Sequence, residues 1–87
     1  MATILERLAG RLSLPAEVVA GSPRVTLTGT ERALVENHRG LLDFTDSEVR
    51  VAGRAVTVRI RGDGLLLQAM DGEMLLVAGH IICVELE

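Results

Sequence analysis

Residues 55–70 read AVTVRIRGDGLLLQAM. The first half of that run decides the fold class. Val56, Val58 and Ile60 alternate with Thr57, Arg59 and Arg61. A period of two is the signature of a strand with one face in a core and the other in water, whereas a helix repeats every three to four residues. The pair Asp63–Gly64 then reads as a hairpin turn, and the RGD tripeptide at 61–63 is absorbed into it. GLLLQAM follows as the next strand.

The same period runs outward in both directions. Upstream lie RVTLT (24–28), RALVEN (32–37), GLLDF (40–44) and SEVRV (47–51). Downstream lie EMLLVAG (73–79) and IICVELE (81–87). Turn residues separate them at Gly29, Gly40, Asp46–Ser47, Gly53, Asp71–Gly72 and Gly79. The expectation is a mainly all-β domain over 23–87: about eight short strands in a small roll, barrel or sandwich. Val25-x-Leu27-x-Gly29 and Leu75-x-Val77-x-Gly79 share one pattern, which suggests a rolled, quasi-repetitive sheet.

Residues 1–22 read differently. Thr3 and Glu6 have the spacing of a capping box, and Ile4, Leu5, Leu8 and Leu12 form a stripe at helical spacing. Ser13 and Pro15 suit a second helix start and Gly21 its stop. The expectation is a short N-terminal helical segment, ended by Gly-Ser-Pro at 21–23. Charges at Glu6, Arg7 and Arg11 break any secretory h-region, and no run approaches the roughly 20 apolar residues of a spanning helix.

The final strands are apolar on both faces. Leu65, Leu67 and Ala69 oppose Leu66 and Met70; Leu75 and Val77 oppose Met74 and Leu76; Ile81 and Cys83 oppose Ile82 and Val84. Such strands need cover on both sides. The N-terminal helix, or another subunit, is expected to supply the second cover. Leu66, Leu75, Val77, Ile81 and Cys83 are the candidate apolar interface.

Eighty-seven residues bury only a modest core. One cysteine excludes an internal disulfide. No zinc-like spacing is present, and no cofactor is implied. A homo-oligomer or a docked partner is therefore expected, in a reducing compartment. A net charge of −3 and a single aromatic residue disfavour nucleic-acid binding. The charge is uneven: residues 24–61 hold seven arginines against five carboxylates, and residues 62–87 hold five carboxylates and no base.

Chemistry concentrates in one place, VENHRGLLDF at 35–44. Glu36 and His38 share a strand parity, so a small ligand-binding or catalytic centre on Glu36, His38 and Asp43 is one reading. No nucleophile motif accompanies it, and Cys83 sits in an apolar strand. A strand connection is the other reading. Asn37 and His38 tolerate unusual backbone angles, Gly40 permits positive φ, and His38 and Arg39 stand exposed for contact. The chain is expected not to be an enzyme.

The order LSLPAEVVAGSPRVTLTG, then ENHRG, then LLDFTDSEVRV with its F-[ST]-D-x-x-V-R pattern, resembles the YqfC-type sporulation proteins of endospore-forming Firmicutes, in the YabP/YqfC family. The likeness covers residues 12–87 in order. Glu36, Asn37, His38, Arg39, Gly40, Phe44 and Asp46 carry it. It implies a non-enzymatic protein of the mother-cell cytoplasm, at most peripheral to a membrane. It also implies a larger membrane partner of the YqfD type, through which the protein would reach the forespore membrane.

Overall fold

The computed structural model describes residues 21–87. The helix expected within 1–20 lies outside the described residues. Six strands form one antiparallel sheet: β1 (Arg24–Thr28), β2 (Arg32–Glu36), β3 (Gly40–Phe44), β4 (Glu48–Gly53), β5 (Val56–Met70) and β6 (Met74–Leu86). Their order is β1-β2-β6-β5-β4-β3. The all-β expectation holds, but the count of eight does not. Residues 55–61 and 64–70 are one strand, as are 73–79 and 81–87.

The reason lies in the glycines. Gly64 and Gly79 have positive φ, 60° and 131°, the conformation that had marked them as turns. Here they sit in bulges inside a continuing ladder. Asp63 opposite His80 is followed by Leu66 opposite Ala78, so two β5 residues face one of β6. A second shift skips Ile82, between Arg61 opposite Cys83 and Gly62 opposite Ile81. A third skips Gln68. Bulges raise local twist and bend a strand, so the long β5–β6 hairpin folds across residues 62–65 and 79–82.

Each flanking hairpin holds one half of this bend. β2 pairs only with residues 74–78 of β6, and β4 only with residues 56–61 of β5. The β1–β2 turn accepts backbone N–H groups from the bend of β6: Ile81 to Thr30 O at 2.7 Å and Gly79 to Glu31 O at 3.1 Å. The β3–β4 turn does the same for β5: Leu65 to Asp46 O at 2.7 Å and Gly62 to Ser47 O at 3.0 Å. The strand order reads the same from either edge, hairpin then long strand. The repeated unit is thus hairpin plus long strand, larger than the five-residue pattern shared by 25–29 and 75–79.

Folding the sheet at its bend brings the inner faces of the two halves together. Ala33, Val35, Leu75 and Val77 from one half join Val49, Val51, Val58 and Ile60 from the other in one cluster, all at 0% exposure. A single flat layer would leave one face wet. Each fully buried aliphatic side chain adds roughly 1.5–3 kcal/mol.

The register corrects the apolar interface drawn from sequence. Leu75 lies opposite Val35 and Val77 opposite Ala33, so both point into the core, and Ile81 is buried with them. A strand apolar on both faces carries no parity signal of its own; its partner's register decides. Leu66 does face outward, at 58% exposure, and Cys83 is half-buried. Leu42 and Phe44 on β3 are exposed.

The bend should fail on adding one methyl group. A Cβ on Gly62 would stand 2.0 Å from His80 O, and one on Gly79 would meet Gly64 O at 2.6 Å with φ already at 131°. Gly79→Ala is expected to lower stability by about 3 kcal/mol. Gly29→Ala, with positive φ but open space, should cost about 1 kcal/mol. Urea unfolding monitored by far-UV circular dichroism measures both, with equal m-values expected.

Candidate functional site

The turn after β2 is built by two residues with positive φ, Asn37 at 60° and Gly40 at 133°. Asparagine and glycine are the residues that enter this region at least cost. Between them the backbone reverses and aims His38 inward. The expectation that His38 is exposed is corrected: it is 7% exposed, the one buried polar side chain among the core residues described. Arg39 alone of the pair points to solvent.

His38 is tied at both ring nitrogens. The Gly40 N–H donates to Nδ1 at 3.0 Å. That leaves the proton on Nε2, which donates to the Asp71 carbonyl at 2.9 Å. A neutral Nε2–H tautomer satisfies both contacts. Asn37 Nδ2 donates to Ser22 O at 3.3 Å, and the Arg39 N–H donates to Ala52 O at 2.7 Å. One four-residue turn thus joins the start of β1, the end of β4 and the β5–β6 hairpin tip.

The Asp71 side chain finishes that tip. Its Oδ1 accepts from the N–H groups of Glu73 at 2.8 Å and Met74 at 2.7 Å. These bonds, the Glu73 one foremost, hold the carboxyl below its ordinary pKa. Asp71 is the residue that reading the sequence missed: "DG" marked a turn, but nothing marked it as the anchor of His38.

Glu36 and Asp43, the partners proposed for a catalytic His38, go elsewhere. Glu36 pairs with Arg24 at 3.7 Å across β1–β2. Asp43 Oδ1 accepts from the Phe44 N–H at 2.9 Å. No hydrogen bond links either to His38. His80 is exposed on β6 opposite Asp63. Among the described residues, no three His, Cys, Asp or Glu gather as metal ligands, and no helix is long and apolar enough to cross a membrane.

The outer faces of the two halves differ in kind. On the β4–β5 half, Arg50 and Arg59 face one another, as do Glu48 and Arg61, and Arg59 and Glu85. The ion pairs run diagonally: Arg59 with Glu48, Arg59 with Glu87 at 3.3 Å, and Arg61 with Glu85 at 2.9 Å. The Arg61 bond holds the Glu85 carboxyl low, with a smaller pull from the Cys83 thiol, and raises Arg61 in turn. A polar cleft of about 590 Å³ opens here, with Arg59, Arg61, Glu48 and Cys83 in its wall. Its guanidinium groups already hold carboxylates.

On the other half the outward row is apolar. Leu34 lies opposite Leu76, Leu76 opposite Ala69, and Ala78 opposite Leu66. Met74 adds a fourth large side chain at 44% exposure. A depression of about 210 Å³ sits in this face, bounded by Leu34, Ala69, Met70, Asp71, Met74 and Leu76. Its rim is the tip that His38 holds. Leu34, Met74 and Leu76 escaped the sequence-based interface because the parity of β6 was unreadable there.

Two outcomes test this arrangement. His38→Ala removes a buried ring and leaves the Gly40 N–H and Asp71 carbonyl without it. A loss of roughly 1–3 kcal/mol is expected, with faster amide exchange at Glu73 and Met74. Acid should loosen the same tip. Because the folded Asp71 carboxyl is held low, its contribution is complete above the ordinary aspartate pKa. It is lost as pH falls through the lowered value. Asp71→Asn should flatten that part of the stability–pH curve measured by thermal melts.

Residues 20–87 match the model of the YabP family. A Bacillus subtilis (strain 168) protein described as uncharacterized protein YqfC is 36% identical over 70 residues, covering 80% of this chain and 75% of the relative. No solved structure matches. With the family match spanning every described strand, and this relative aligned over most of both chains, the chain belongs to the YabP family, on its YqfC side.

Proposed function

We propose that this chain is a non-catalytic interaction module of endospore formation, docking through the apolar outer face of β2, β6 and β5. One observation carries the reading: the outer surface holds ion pairs on the β4–β5 half and, on the other half, an apolar row of Leu34, Leu76, Ala69 and Leu66 edged by Arg32 and the Arg24–Glu36 pair. On the charged half, Arg59 and Arg61 pair with Glu48 and Glu85. The apolar half leaves Leu66 58% and Met74 44% exposed on regular strands. A contiguous apolar face on a small domain is the usual mark of a binding surface. The role in sporulation rests on the family and on the YqfC relative.

The partner is a membrane protein of the YqfD type, met from the mother-cell side. An apolar groove rimmed by a fixed turn suits an amphipathic segment of such a protein. His38 serves the contact indirectly, by holding Asp71 and with it the rim formed by Met70 and Met74.

Co-purification with the partner's soluble region tests this. Leu66→Asp combined with Leu76→Asp should weaken binding at least tenfold, about 1.4 kcal/mol, with the circular dichroism spectrum unchanged. Arg61→Ala should leave binding within about twofold. Unchanged binding in the double variant would remove the apolar face from the interface. If Arg39→Glu weakens binding as much, the exposed arginine of the turn also touches the partner.

A further inference from the structure

Both contacts of His38 demand one form of its ring. The Gly40 N–H faces Nδ1 at 3.0 Å, and a backbone N–H can only donate. The Asp71 carbonyl faces Nε2 at 2.9 Å, and a carbonyl can only accept. The neutral Nε2–H ring meets both. The other neutral tautomer meets neither. The imidazolium keeps the Nε2 bond but sets its Nδ1–H against the Gly40 N–H. At 7% exposure little water reaches the ring to separate those two donors.

The β5 end of the hairpin tip has few other holds. On the β6 side, Met74 and Leu75 pair with Glu36 and Val35 of β2. On the β5 side, residues 66–70 have β6 as their one neighbour among the described strands, because β4 pairs only with Val56–Arg61. The bulge at Gln68 leaves just Ala69 and Met70 in regular register before the turn. The bond from His38 to the Asp71 carbonyl ties this end to the β2–β3 connection. Few charges act on the ring. On the tip, the Asp71 carboxylate interacts with it, and Glu73 beside it is exposed. On β2, Glu36 pairs with Arg24 at 3.7 Å. On the ring's own turn Arg39 points to solvent, and Gly40 of β3 and Ala52 of β4 carry no charge. The Asp71 carboxylate attracts a charged ring, while the Gly40 N–H repels its Nδ1–H.

We infer that His38 is a proton-operated latch on the rim of the apolar groove. A proton taken up at Nδ1 breaks the bridge between the β2–β3 connection and the β5 end, and frees Met70 and Asp71. The ring can follow Asp71 or stay with the connection, but it no longer joins them. The released form belongs to the acid side, because only the neutral ring accepts from Gly40. The step is separate from protonation of the Asp71 carboxyl, which removes the bonds from Glu73 and Met74 instead. Met70, Asp71 and Met74 bound the groove, so the released form offers a partner a less fixed surface. A surface that must be ordered on contact binds more weakly, since the ordering opposes association. That consequence rests on the docking reading above; the latch itself does not.

The latch is tested in the full chain without a partner. NMR follows the His38 ring through its Cε1–H shift as pH falls, and amide exchange gives protection factors at Gly40 and Asp71. Both factors should fall by about tenfold or more over the pH range in which the ring takes its proton. The exposed His80 ring should titrate with no such change. Asp71→Asn should keep the step. His38→Gln, whose amide still donates but takes no proton, should lose it. Unchanged protection while the ring titrates, a ring that stays neutral until the whole chain unfolds, or a step that survives in His38→Gln would overturn the latch. Co-purification with the partner's soluble region then measures its consequence. Binding should weaken by about fivefold or more between the neutral and the charged ring in the native chain, and not in His38→Gln. Equal binding by the native chain at both pH values, with the latch seen to open, would overturn its role in docking and leave the apolar-face reading standing. Absence of binding at either pH would strike the docking reading and not the latch.

Discussion

Everything in this molecule depends on how closely two backbones pass at the bend of β5 and β6. At Gly62 a β-carbon would stand 2.0 Å from the carbonyl oxygen of His80; at Gly79 it would stand 2.6 Å from that of Gly64. No side chain fits either place. The absence of side chains lets a hairpin of 15- and 13-residue strands turn over on itself without breaking its ladder. Without that turn there is no enclosed core, because each half-sheet has one apolar inner face and nothing else among the described residues to cover it. The seven fully buried large side chains, from Val35 to Val77, come from both halves. Glycine lowers the stability of an isolated strand. Here that cost is outweighed by the core that the bend encloses.

The two ends of the roll are fixed by different chemistry. At the bend the hairpin turns supply carbonyls to Gly62, Leu65, Gly79 and Ile81, all backbone to backbone. At the far end the strands diverge, and a side chain does the joining. His38 reaches from the β2–β3 connection to Asp71 on the β5–β6 tip, while its neighbour Arg39 bonds to Ala52 on β4. A histidine suits the place because one ring nitrogen accepts and the other donates, so it can link two backbone groups that could not reach each other. A polar cluster that looks like an active site thus acts as a strut.

Much of this was legible in the chain. The alternation of Val56, Val58 and Ile60 gave β5, and that of Val49 and Val51 gave β4. Asn37 and Gly40 gave the turn between β2 and β3. Three things were not legible, each for a physical reason. Gly64 and Gly79 have positive φ in a bulge as they would in a turn, so local sequence could not say whether the strand stopped. Leu75 and Val77 sit beside Met74 and Leu76 of equal hydrophobicity, and only pairing with Ala33 and Val35 chooses the inner pair. The inward aim of His38 depends on the backbone angles at Asn37 and Gly40 acting together, and on Asp71, 33 residues away.

The same ambiguity explains where the candidate surfaces fall. An apolar residue outside the core is exposed here because a neighbour of opposite parity was needed inside. Leu76 is outward since Leu75 and Val77 must be inward. Ile82 is outward since the bulge that skips it lets both Ile81 and Val84 pack against the core. Yet bending alone does not require these outward positions to be aliphatic. On the charged half the corresponding rows are Arg50, Arg59 and Glu85, which fold equally well with polar outer faces. A fold that takes arginine and glutamate on one outer face and leucine and methionine on the other leaves its outer composition undetermined by the bend. The division between Arg59–Arg61 and Leu34–Leu76 is therefore independent of the core, and the glycine bend alone is a property of how the domain folds.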